Sequence, residues 1–228
     1  MAPADNRFKN LDSLTRTVHR LLMAALVVQP VACVMLFVAP AWLDGASRPP
    51  AWANIAVAFA QSRTGEIALG AIWFSLYAAC AVTALRWIYL ANSNAHALGA
   101  EGMQFTPAWA IGWYFVPLAN LWKPYQAMKE IWQASATGTD WREVKAPALL
   151  RWWWGFWLLS TSLQLQFDPD DPTERTIIAV FSVILLSLFT ALIGVFAAIV
   201  NRVWAAQRRR WKMDTDTGIE QAHGSTAM

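Results

Sequence analysis

Four long apolar runs decide what this chain can fold into. Residues 21–43 hold about 23 positions without a charge, 67–85 about 19 and 177–201 about 25. A helix rises about 1.5 Å per residue, so about 20 apolar residues cross the roughly 30 Å hydrocarbon core of a bilayer. The fourth run, 152–167, has about 16. It reaches crossing length by extension to residue 148, with Arg151 snorkelling to the headgroups along its aliphatic stem. Helical spans are therefore expected at about 21–43, 67–90, 148–167 and 177–204. The implied fold is all-α, an integral membrane four-helix transmembrane bundle. Composition agrees: 57% of residues are hydrophobic and 14% charged, against about 25% charged in soluble domains. The first run is too long for the apolar region of a signal peptide, about 7–15 residues, and Pro40 within Ala39-Pro40-Ala41 disfavours cleavage.

Charge orients the spans. Arg7, Lys9, Arg16 and Arg20 precede the first, and six Lys or Arg lie between the second and third. Arg202, Arg208, Arg209, Arg210 and Lys212 follow the fourth. Fifteen of the 18 basic residues thus fall on one side, and the positive-inside rule makes that side cytoplasmic. Both termini and the long middle loop are expected there, with the acidic turn at 168–174 facing out. The pI of 9.1 then reflects orientation, and no nucleic-acid partner is expected, since the basic residues flank spans. Cys33 and Cys80 fall at different depths, so they read as packing residues rather than a disulfide.

Residues 1–12 read as a mobile tail, 212–228 as a disordered one, and Asp12 or Ser13 as a helix cap. Pro30 should kink the first span. Trp52, Ile55 and Phe59 share a helical face, which suits a short helix on the outer interface. Ala71, Ser75, Ala79 and Thr83 in the second span, and Thr190, Gly194 and Ala198 in the fourth, form stripes of small residues. Such stripes let helices approach closely. They suit internal seams or, equally, a homo-oligomer or a partner membrane protein.

Residues 105–132, FTPAWAIGWYFVPLANLWKPYQAMKEIW, do something plain spans do not need. Residues 106–122 are uncharged, but a fifth crossing would carry a basic cluster to the wrong side. The expectation for 105–135 is a cytoplasmic-side re-entrant or interfacial helix pair between the second and third spans. The first helix ends near 115–117, the chain breaks at 117–120, and an amphipathic helix covers about 121–135. Its apolar face would be Leu121, Tyr125, Met128 and Trp132, with Lys123, Gln126, Glu130 and Gln133 opposite. Asn120 is the expected cap, and Pro124 is tolerable in the first turn. Twelve of the 15 Trp fall on the cytoplasmic side of this scheme, which implies a thick aromatic layer there, with this segment packed on the start of the third span.

Trp113, Phe115, Pro117, Asn120, Leu121, Pro124, Tyr125, Met128, Glu130 and Trp132, followed by Trp153 and Trp154 at the next span, resemble the bacterial multi-pass membrane family catalogued as domain of unknown function 4328. The likeness covers roughly residues 65–205. It implies an inner-membrane protein with a shared core, and no assigned reaction.

Nucleophile motifs and phosphate-binding glycine loops are absent from the sequence, and His19 and His96 have no haem-type motif around them. No cofactor, metal site or catalytic set is expected. The best binding candidates are Asn120, Lys123, Tyr125, Gln126 and Glu130, as a cytoplasm-facing pocket for a lipid headgroup or partner peptide. The plainer reading is scaffold: Asn120 caps, the prolines shape the turn, and Glu130 pairs with a basic neighbour. Three roles follow: a non-enzymatic membrane component that binds lipid or a partner, a small transporter or channel for a neutral or apolar solute, and a membrane enzyme acting on lipids that would need titratable groups around Glu130. Membrane lipids are the expected partners of the first.

Overall fold

The computed structural model describes residues 8–33, 50–137, 140–162 and 172–226. Among these there is no strand. The seven α-helices are α1 (Asp12–Cys33), α2 (Ala51–Gln61), α3 (Arg63–Ala97), α4 (Pro107–Gly112), α5 (Lys123–Ala136), α6 (Ala148–Ser162) and α7 (Pro172–Thr226). Two of them, α3 and α7, contain stretches long and apolar enough to cross a membrane. No residue of the most apolar 18-residue window of α3 is buried, and only 22% of that of α7. A core helix of a water-soluble protein would be mostly buried, so this exposure favours lipid as the surrounding medium. The first and third expected spans are helical as far as Cys33 and Ser162. Their remainders lie outside the described residues, as do residues 168–171 of the acidic turn and residues 1–7.

The chain divides into two compact units: Met1–Val18, Thr83–Trp154 and Val195–Met228 form one, and His19–Val82 and Gly155–Gly194 the other. The second unit shows apolar side chains outward, with Met23, Val27, Ile72, Phe74, Val180 and Val183 all more than half exposed. Its α2 has the expected amphipathic pattern, with Trp52, Ile55 and Phe59 exposed while Ala53, Val57 and Ala60 are buried. Ser62 closes both helices at the α2–α3 corner. Its Oγ donates to the Phe59 carbonyl at 2.6 Å and accepts the Gly65 N–H at 3.1 Å. Only glycine fits at 65, since a Cβ there would lie 1.8 Å from the Phe59 oxygen. Of the small-residue stripes, Ala71, Ser75, Thr190 and Gly194 are exposed, while Ala79, Thr83 and Ala198 are half-buried. Cys80 is a half-buried free thiol.

The first unit closes a true core around Trp87, Met128, Ile131, Leu150, Ile199 and Val203. Here α3 ends in a Schellman motif. Gly99 takes φ 80°, its N–H bonds the His96 carbonyl, and the Ala100 N–H bonds that of Ala95. Residues 8–11 are packed rather than mobile. Leu11 is 1% exposed, Phe8 stacks on Trp204 and Trp211, and the Lys9 peptide exchanges two 2.9 Å hydrogen bonds with the Asn94 amide. Asn10, not Asp12 or Ser13, caps α1, its Oδ1 accepting the Asp12 N–H. Asp12 is freed to accept the Trp204 indole N–H at 2.7 Å and to meet Arg208 at 3.6 Å. That indole bond, chiefly, holds the Asp12 carboxyl below its ordinary value. Where the sequence suggested a disordered tail after residue 211, α7 continues to Thr226. Opposite charges four apart, Arg210–Asp214 and Lys212–Asp216, favour that continuation.

A buried polar knot joins three helices of this unit. Gln207 Nε2 donates to the Ala91 carbonyl of α3 and to Ser135 Oγ of α5, and Gln207 Oε1 accepts from Asn94. One turn on, Arg210 donates to the carbonyls of Ala134 and Leu98. These lie at the C-terminal ends of α5 and α3, where unpaired carbonyls and the negative end of the helix dipole attract a cation.

Candidate functional site

The segment expected to be special is a broken hairpin. Thr106 caps α4, its Oγ1 accepting the Trp109 N–H at 3.3 Å, with Pro107 as first residue. A 3-10 turn at Trp113–Phe115 follows, then Val116 and Pro117. Leu118 sits at φ 64°, ψ −53°, and the Ala119 N–H reaches back to the Pro117 carbonyl at 2.7 Å. That is a γ-turn of the rare, strained hand. A second 3-10 turn, Ala119–Leu121, leads into α5, where Pro124 occupies the first turn as expected. The result is an apolar tip: Phe115 and Leu118 are 73% exposed, and Leu121 and Trp122 about half exposed. Behind it, Lys123 Nζ lies 5.7 Å from the ring centroids of both Phe105 and Trp113. The tip is pinned to α6 by Trp154, whose indole N–H donates to the Leu121 carbonyl at 2.9 Å, while the Tyr114 ring meets Trp154 edge-on. The expected packing of this segment on the start of the third span is thus present.

The buried face of α5 differs from the one expected. Pro124, Ala127, Met128, Ile131 and Ala134 point inward, and so do Glu130 and Gln133. Leu121 is exposed, and Tyr125 and Trp132 are half-buried. The polar pair turns in because the loops around α5 have backbone groups to satisfy. Glu130 accepts the Gln104 N–H at 2.6 Å and the Phe105 N–H at 3.0 Å. Gln133 donates to the Val144 carbonyl. Glu130 therefore latches a loop instead of pairing with a basic neighbour. Burial raises its pKa, opposed by the two peptide N–H groups and more weakly by His96 and Arg142. Asn120 does not cap α5 either. It lies inside the second 3-10 turn, and its Oδ1 is buried with no partner among the described residues.

Among the described residues, no hydrogen bond or ion pair joins any two of the binding candidates Asn120, Lys123, Tyr125, Gln126 and Glu130, and Gln126 is exposed. Among the motif residues, Met128, Trp153 and Trp154 are core, and the Trp113 ring lies 4.7 Å from that of Trp109, tilted by 33°. Trp132 lines an open cavity.

That cavity is a groove of about 360 Å³ between the C-terminal end of α5 and α7, lined by Trp132, Ala136, Arg202, Val203, Ala206, Arg209, Arg210 and Met213. The α7 residues recur at helical spacing and form one stripe. No carboxylate is among the described lining residues, although Asp214, next to Met213, is near enough to favour the charge of Arg210. The sequence reading took these arginines as an orientation signal only. The missed clue was that 202, 206, 209 and 213 share a face.

A family profile described as Domain of unknown function (DUF4328) matches residues 52–203, which covers the whole hairpin and α6. No curated protein and no solved structure matches the chain.

Proposed function

The chain belongs to the Domain of unknown function (DUF4328) family, and from that premise we propose that it is a non-enzymatic, lipid-binding component of the bacterial cytoplasmic membrane. In this reading it is multi-pass, with both termini and the hairpin on the cytoplasmic side. One observation carries it. The unit His19–Val82 and Gly155–Gly194 turns large apolar side chains outward along its helices, while the unit built from the chain ends and the middle loop closes a buried core and exposes large apolar groups mainly at the hairpin, Trp152 and Met213. Exposed apolar surface on that scale suits a lipid solvent. The buried-core unit carries most of the basic residues and most Trp residues, as expected of a layer at the headgroups. Its apolar tip at Phe115–Trp122 is suited to dipping into acyl chains beside it.

Carbonate extraction of bacterial membranes, with reporters fused after residue 226 and within residues 44–49, tests this reading. The protein should stay in the pellet, the C-terminal reporter should be active only as a cytoplasmic fusion, and the 44–49 insertion only as an external one. Release by carbonate, or an external C-terminus, overturns it.

A further inference from the structure

Of three consecutive arginines on α7, Arg208 and Arg210 have partners within the protein and Arg209 has none among the described residues. Arg208 meets Asp12 at 3.6 Å. Arg209 and Arg210 line the groove beside Trp132, and Arg202 joins them two turns earlier. Among the described residues neither Arg202 nor Arg209 pairs with a carboxylate. Arg210 is the built part of the wall, half-buried and fixed by the Ala134 and Leu98 carbonyls. Arg202 is the first charge after the uncharged run 177–201. A groove that begins where an apolar helix ends, with guanidinium groups on one wall and Trp132, Val203, Ala206 and Met213 for its apolar lining, matches an amphiphile carrying an anionic head. Guanidinium recognises phosphate through paired N–H donors.

We propose that the Arg202–Arg209–Arg210 groove against Trp132 is a binding site for the phosphate headgroup of an anionic phospholipid. This rests on the membrane reading above and adds a lipid class and an address. Free phosphate shares the headgroup chemistry, but the apolar lining would then have no role. Arg209 and Arg202 contact the headgroup, and Arg210 shapes the groove while holding α3 and α5.

Full-length protein in nanodiscs of phosphatidylcholine mixed with phosphatidylglycerol, released and weighed by native mass spectrometry, tests the site. Two juxtamembrane arginines predict a preference of roughly 30-fold for the anionic lipid. It should fall to within about threefold in R202Q/R209Q, survive in R202K/R209K and weaken with salt. Arg210 is left intact so that folding is preserved, and the single variant R209Q gives an intermediate loss should the double variant unfold. An equal preference in wild type and R202Q/R209Q, both folded, overturns the proposal. Displacement of the bound lipid by millimolar inorganic phosphate assigns the groove to a free anion and overturns it too. A protein that enters nanodiscs but shows no anionic preference defeats this site alone. One that never enters the bilayer defeats the membrane reading with it.

Discussion

Replacing Glu130 by Gln tests the latch that holds the hairpin to the rest of its unit. The two carboxylate oxygens accept the Gln104 and Phe105 N–H groups at 2.6 and 3.0 Å, in a side chain only 6% exposed. Gln keeps the shape and one acceptor, but turns an amide NH2 toward the second peptide donor. A buried donor left facing a donor costs about 1–3 kcal/mol. In a chain of this size each kcal/mol moves Tm by about 2–4 °C, so the variant should melt roughly 2–12 °C lower at neutral pH. The pH dependence has a definite sign. Burial raises the Glu130 pKa, so between the ordinary and the raised value the folded state holds more protons than the unfolded. The group's contribution is full below the ordinary value and is lost as the pH rises through the raised one. The wild-type advantage over E130Q should therefore grow on acidification. Differential scanning fluorimetry in detergent across pH 4–8, on both proteins, measures it. Equal melting temperatures with a flat difference curve would refute the latch.

Three further outcomes follow from the same geometry. Trp154→Phe removes the donor to the Leu121 carbonyl and should cost about 0.5–1.5 kcal/mol, with faster hydrogen exchange in residues 119–122. Leu118→Gly relieves a positive φ and should stabilise by about 1 kcal/mol, while lowering the insertion of the tip into lipid, read by brominated-lipid quenching of Trp122. Asn92 is fully buried with neither amide atom paired among the described residues, so Asn92→Leu should raise stability by about 1–3 kcal/mol in the same melting assay.

Helix content was legible in the sequence wherever a run of apolar side chains dictated it, as at α3 and the apolar part of α7. The hairpin was legible from Pro117, which breaks the apolar run, from Pro124, which a helix tolerates only in its first turn, and from charge, which limits the number of crossings. The orientation of α5 was not. Periodicity assigns Glu130 and Gln133 to the polar face, yet both point inward because their partners are peptide groups at 104–105 and 144, brought near by tertiary folding. Asn120 looked like a cap because helix starts favour Asn. The γ-turn at Leu118 shifts the helix start to Lys123, and the cap position falls to Trp122. The groove stayed hidden for a related reason. Arginine after a span is expected for orientation alone, and only the position of α5 shows which of the three is free.

The embrace of the first residues by the last helix has a consequence for synthesis. Asp12 waits for Trp204, 192 residues later, and Phe8 for Trp211. A ribosome adding about 5–20 residues per second needs roughly 10–40 s to make that partner. Throughout that interval the amino-terminal strap has no α7 to close on. Every intervening segment has left the ribosome before the unit can lock. A tag added ahead of Phe8 therefore acts on the final step of assembly rather than on a loose end.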